Sequence, residues 1–400
     1  MRAFFHNLQR MNQRSRITPL DALRGFCLLG ILVMNIQTFA MPFAAYLNPT
    51  VFGSLDGADG LAWLFGRLLF DCKFRNLFAM LFGASLVLGG DDTRPRRRLA
   101  WLVIFGLIHA YGIWYGDILF TYGVIGMLVV GARAWPPGRQ LRLGLALVSV
   151  GPAIAMVTGL AFHHLPASLL DALREHLDNA RSVPAELTAF RSDWLTQLPV
   201  RAKLAFAGQT SMLVFETGWR AAGCMLLGMA GVRSGLFEKV ATSPRAVLLP
   251  WVLGLAATSA GLAVQIAGGF APRAWLFAQA LHEVGAVPLA IAIGGTVVGL
   301  AHRFAGAAPT RAITSLGRVA FTAYLMQSAV GTLVFGGHGL GAFGTWSRST
   351  LLLAAFVFWA LQVLLASLWS KHYGRGPLEA LWRGLTRNDF SLRPRASHAG

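Results

Sequence analysis

Apolar runs long enough to cross a bilayer recur along this 400-residue sequence, and they leave few folds open to it. A membrane-spanning helix needs about 20 mostly apolar residues. Ten stretches approach or meet that need, near 20–41, 76–90, 99–115, 118–134, 142–162, 204–232, 246–268, 275–301, 312–335 and 350–370. Only 13% of the residues are charged, against about 25% in soluble domains, which excludes a soluble globule. We therefore expect an all-α, polytopic integral membrane protein with about ten transmembrane helices in two bundles of about five. Residues 1–162 would form an N-terminal membrane bundle and 204–370 a C-terminal one. Between them, 163–203 reads as an extracytoplasmic amphipathic insertion, in which Leu169, Leu173 and Leu177 recur at helical spacing. Residues 371–400 read as a cytoplasmic tail.

The formal net charge of +18 could suggest nucleic acid, but the basic residues sit between the apolar runs. There they set topology and meet anionic lipid. With both termini in the cytoplasm, 23 of the 35 basic residues fall on the cytoplasmic side and ten on the other, while Arg24 and Arg220 lie inside spans. That asymmetry favours this orientation. Arg10, Arg14 and Arg16 precede a run that contains Asp21 and Arg24 and lacks a small-residue cleavage site, so we expect an uncleaved first span. Residues 61–90 are interrupted by Arg67, Asp71, Lys73 and Arg75, which predicts a bent arrangement with 61–75 near the outer interface. The three cysteines show no metal-ligand spacing, and neither a metal site nor a disulfide framework is expected.

Ionisable groups inside apolar spans are expensive and point to function. Asp21 and Arg24 share a helical face at the mouth of the first span, with Asn35 further along it. His109 lies well inside the third span. Asp117 follows eight residues later, about 12 Å along a continuous helix. The two side chains meet only if Gly112 or Gly116 breaks the helix; Asp117 reads equally as facing the outer mouth of a cavity whose depth holds His109 and as capping the fourth span. Glu216 and Arg220 stand at ion-pair spacing in the sixth span, and His282 and Glu283 lie in the eighth. Arg318, Thr322, Tyr324, Gln327 and Ser328 form a polar series that suits either interhelical hydrogen bonds or a lined site. The segment around Trp382 and Arg383 reads as an amphipathic docking element.

Leu20-Asp21-Ala22-Leu23-Arg24-Gly25 resembles the opening signature of the transmembrane acyltransferase superfamily, which includes the acyltransferase-3 proteins and the lysosomal heparan N-acetyltransferase. Three further stretches are similar to one branch, the YeiB-like family of bacterial membrane proteins. They are Gly106 to His109 with Trp114 to Leu119, Gly317 to Ser328, and Gly376 to Arg383. No histidine follows Arg24 in the first span, a departure from the acyltransferase-3 pattern.

The resemblance implies a multi-pass protein of the bacterial inner membrane that moves an acyl group from a cytoplasmic acyl-CoA, acetyl-CoA for example. The acceptor would be an extracytoplasmic or lipid-linked small molecule, glycan or lipid. His109 would be base or acyl carrier, with Asp117 and Glu216 holding charge beside it. Asp21, Arg24, Asn35, Arg220, Arg318, Tyr324, Gln327 and Ser328 would bind donor or acceptor. Membrane lipids are the expected partners, nucleic acid is not, and oligomeric state is left open. Spacing alone serves equally well a transporter or lipid-binding membrane protein without covalent chemistry.

Overall fold

The computed structural model describes residues 2–89, 94–164, 166, 179–236, 239 and 243–392, and every regular element among them is a helix. Helix α1 (Arg2–Ala40) gives way at Pro42 to the short α2 (Phe43–Leu47). Helices α3 (Gly57–Leu69) and α4 (Lys73–Leu88) take the place of the bent 61–90 stretch. The break between them is a turn in which Cys72 adopts a positive φ of 63°, rare for a residue with a side chain. Next come α5 (Pro95–Gly112), α6 (Leu119–Val129) and α7 (Pro137–His164). The leucine row of the insertion lies outside the described residues. Beyond it, α8 (Val183–Phe190) precedes α9 (Trp194–Gln209). Asp193 caps α9 by accepting from the N–H groups of Leu195 at 2.9 Å and Thr196 at 3.1 Å.

The expected span at 204–232 is broken. Helix α9 stops at Gln209, and a π-helical turn at Leu213–Thr217 leads into α10 (Gly218–Arg233). Helices α11 (Leu248–Ala267) and α12 (Pro272–Arg303) form a long hairpin. The expected span at 312–335 is also two helices, α13 (Ala308–Arg318) and α14 (Ala320–Phe335), which meet at Val319. Helix α15 (Arg348–His372) and the tail helix α16 (Pro377–Arg387) complete the chain. In the loop before α3, Arg348 gathers the backbone carbonyls of Pro49, Phe52 and Ser54 at 3.0, 2.8 and 2.6 Å.

Among the described residues, five helical segments are long and apolar enough to cross a membrane: Pro19–Ala40, Pro137–Phe162, Arg245–Ala267, Ala274–Arg303 and Arg348–His372. The first is 72% buried and the second 11%, so α1 is the axis and α7 the rim of the bundle. Helix α1 packs against α4, α12, α13, α14 and α15. The two halves of the chain therefore follow one another in sequence but interleave in space. Val157, Leu248 and Leu353 stay exposed on the outer helices, as side chains facing lipid tails do.

Glycines set the closest helix crossings. A Cβ on Gly83 would strike the Met225 carbonyl, and one on Gly228 would strike that of Met80, so α4 and α10 touch backbone to backbone. Gly25 and Gly317 do the same for α1 and α13. This crossing positions everything that α4 and α10 carry. Gly228→Leu overpacks it and should cost about 1–3 kcal/mol, read as a lower melting temperature in detergent; unchanged melting would show that the crossing has slack.

Candidate functional site

Helix α5 ends at Gly112, and residues 113–118 double back before α6 begins. The reversal brings Asp117 Oδ1 to 2.8 Å from His109 Nδ1. Asp117 Oδ2 accepts the Phe120 N–H at 2.7 Å. One carboxylate therefore caps α6 and orients the imidazole. His109 donating from Nδ1 leaves a lone pair on Nε2, and that atom is buried without a protein partner. The two side chains are 1% and 2% exposed. The Tyr324 ring packs on the imidazole at 5.2 Å between centroids, and Trp114 at 6.2 Å.

A cavity of about 250 Å³ opens beside this pair. Its wall carries Arg24, Arg98 and Arg318 together with apolar groups such as Phe78, Leu102 and Phe321. Arg24 and Arg318 are 33% and 47% exposed and converge on Asp21, at 2.7 and 3.8 Å. Ile118, Tyr122 and Tyr324 also line the cavity. Tyr324 is thus the wall it shares with His109. On the other flank of His109, Trp114 lines a second cavity of about 20 Å³ with Gln197 and Arg201, room for one water.

The tail helix closes the larger cavity. Glu379 accepts from Phe321 N–H at 2.7 Å, Thr322 N–H at 3.2 Å and the Thr322 hydroxyl at 2.5 Å, which caps α14 from a distant helix. Burial pushes its carboxyl above the usual range, against the pull of those donors. Trp382 donates to the Arg98 carbonyl at 3.0 Å and receives the Arg98 guanidinium on its ring at 4.6 Å. The docking role read for this segment includes part of the cavity wall.

Glu216 stands apart from His109. At the partly exposed edge of a network that runs into the bundle, it accepts from Arg220 at 3.1 Å and Arg75 at 3.5 Å, and the buried Arg220 also pairs with Glu283. Arg67 pairs with Asp71, which also accepts the Tyr46 hydroxyl at 2.5 Å. Lys73 donates to the Arg67 carbonyl at 2.8 Å and lies 3.2 Å from His282 Nε2. Arg67 and Lys73 face inward, 8% and 0% exposed. Asp71, Cys72 and His282 bring metal-ligand atom types within 4.8 Å of one another. The cations Arg67 and Lys73 already bond the carboxylate and the imidazole, so these groups are engaged in an ion-pair network.

Other candidates serve the helix packing. Gln327 donates to Gln362 at 2.8 Å and to the Leu28 carbonyl at 3.3 Å, tying α14 to α15 and α1. Ser328 donates within α14 to the Tyr324 carbonyl at 3.5 Å. Asn35 is half-buried on α1 and lines neither cavity. Sequence reading passed over Arg98, Glu379, Asp71 and Lys73. The signal for the last two was present, a charge cluster inside a span-length apolar stretch.

The fold and these sites define a helical protein of membrane type with polar groups gathered inside its bundle. Residues 231–389 match the family described as "Protein of unknown function (DUF418)", which takes in Tyr324 and Glu379 but not His109. The chain is 31% identical over 383 residues to "Uncharacterized protein YeiB" of Escherichia coli (strain K12), covering 93% of this chain and 96% of that one. It is 26% identical over 399 residues to "Uncharacterized protein YxaH" of Bacillus subtilis (strain 168), covering 95% and 96%. No solved structure matches. The chain belongs to the YeiB-like family.

Two outcomes are expected here. Glu379→Ala strands the Phe321 and Thr322 N–H groups, a loss of about 1–3 kcal/mol, so amide exchange at the start of α14 should accelerate; unchanged exchange would detach α16 from the cavity. In the loop after α14, His338 Nδ1 lies 3.1 Å from Gln197 Nε2. Burial, then the charge of Arg201, holds that imidazole below its ordinary 6.5. The neutral form is the folded one, so its contribution is whole above the unfolded value and lost as pH falls through the folded value. The protection factor at Gly337, whose N–H donates to the Phe190 carbonyl at 2.9 Å, should fall on acidification, and a pH-independent protection factor would refute the coupling.

Proposed function

We propose that the protein is a transmembrane acyltransferase that moves an acyl group from a cytoplasmic acyl-CoA to an extracytoplasmic or lipid-linked acceptor. Its frame would be about ten spans in the inner membrane with both termini cytoplasmic. One observation carries the reading: a buried imidazole, oriented by a carboxylate, keeps a free Nε2 behind the wall of an amphipathic cavity. Arginines in that wall suit the phosphates of a nucleotide-bearing donor, and the apolar lining suits its acyl end.

In the proposed step the acceptor hydroxyl or amine attacks the thioester carbonyl and loses its proton to His109 Nε2. The carbon–sulfur bond then breaks, and the thiolate leaves with that proton. Asp117 stabilises the imidazolium and fixes its tautomer. Rotation of Tyr324 is the movement this reading requires.

Positioned general bases contribute about 10²–10⁴-fold. His109→Ala should therefore cut transfer at least about a hundredfold while melting and acyl-CoA binding stay as in the wild type. Full transfer by a folded His109→Ala protein would remove the imidazole from the chemistry. Acetyl-CoA and a longer acyl-CoA should bind saturably to the purified protein, and more weakly to Arg24→Ala. A transporter or lipid-binding role is the second reading, supported by the charge network of Arg67, Asp71, Lys73 and His282 inside the bundle. Absence of acyl-CoA binding to folded protein would favour it.

A further inference from the structure

The network around His282 holds one cation more than its carboxylates balance. Helix α2 brings Tyr46, α3 brings Arg67, the turn at 70–72 brings Asp71 and Cys72, and α4 brings Lys73 and Arg75. The π-helical turn adds Glu216, α10 adds Arg220, and α12 adds His282 and Glu283. Helix α1 sends Arg24, paired with Asp21, to the larger cavity, α7 carries its ionisable residues at its two ends, and α11 has none. Arg67 pairs with Asp71, Arg220 with Glu283 and Arg75 with Glu216. Among the described residues Lys73 is the cation left over, and it is wholly buried.

A surplus ammonium in an apolar bundle is costly unless it can shed its proton. The neighbour that allows this is His282. Its Nε2 lies 3.2 Å from Lys73 Nζ and 3.4 Å from Asp71 Oδ2. A lone pair on Nε2 accepts from the ammonium, whereas a hydrogen there donates to the carboxylate, and the atom cannot do both. Nδ1, on the other side of the ring, is buried without a partner, so no protein group fixes the tautomer.

We propose that Asp71, Lys73 and His282 form a binding site for a single proton inside the bundle. In the loaded state Lys73 is an ammonium bonded to Nε2, and His282 carries its hydrogen on Nδ1. In the empty state Lys73 is a neutral amine, and His282 carries its hydrogen on Nε2, facing Asp71. Unloading moves the ammonium proton to Nε2 and releases the Nδ1 proton to water. Loading reverses both moves. One proton and one charge leave in all, and three arginines then balance three carboxylates. The site is separate from His109 and holds whether or not the protein transfers acyl groups.

The test is the tautomer of His282, read by nitrogen NMR on full-length protein carrying ring-¹⁵N histidine, with His282→Gln to identify its signals. Over a titration from about pH 5 to about 9, the window in which histidine sites switch, Nε2 should pass from the non-protonated to the protonated range while Nδ1 does the reverse. Lys73→Met should abolish that transition and hold the Nε2–H form throughout. A single tautomer in the wild type at every pH overturns the proposal, as does an unaltered transition in Lys73→Met. Should Lys73→Met not fold, Lys73→Gln takes its place, and the wild-type titration decides the first point without either.

Discussion

A charge inside an apolar bundle must be met by another charge, by a hydrogen-bonding group or by water, and that requirement organises this molecule. Four of the places where a helix breaks coincide with a polar group that needs a partner. The turn at 70–72 turns Asp71 and Lys73 into the interior. The reversal at 113–118 carries Asp117 back to His109. The π-helical turn before α10 delivers Glu216 to Arg75 and Arg220, in keeping with the occurrence of such turns at functional positions. The break at Val319 opens two N–H groups that Glu379 receives.

These breaks yield two polar centres with different logic. At His109 the polar capacity exceeds the partners: one carboxylate fixes one ring nitrogen and the other is left over, next to a cavity. Around Asp71 and Arg220 the arginines and carboxylates pair off in charge, and among the described residues Lys73 is the surplus cation. The first arrangement suits a reacting molecule and the second suits a mobile charge. Tyr122 relates them, since it lines the cavity and donates to the Arg75 carbonyl at 2.9 Å. Glycine contacts between α4 and α10 keep the second centre in register with the first.

Helix content, the longest apolar segments and the bend within 61–90 are legible in the sequence because hydropathy and breaking residues act over short distances. So are the pairs Asp21–Arg24 and Glu216–Arg220, whose partners lie within one helical turn. His109 and Asp117 were each visible, but their contact depended on whether Gly112 ended a helix. Gln327 read equally well as site or packing group until its partners on α1 and α15 were known. Arg98, Glu379 and Trp382 gave no signal of a shared cavity, because their elements lie far apart in the chain.

By itself the sequence determines that this chain is a helical membrane protein with a few costly polar residues in its apolar stretches, since hydropathy and helical period are properties of neighbouring residues. Tertiary structure decides which of those residues meet. Lys73 finds His282 across 209 positions, and Glu379 finds Phe321 across 58. Such pairings follow from how helices cross and where they break, and the energy that selects them exists only once the bundle has excluded water from around the charges.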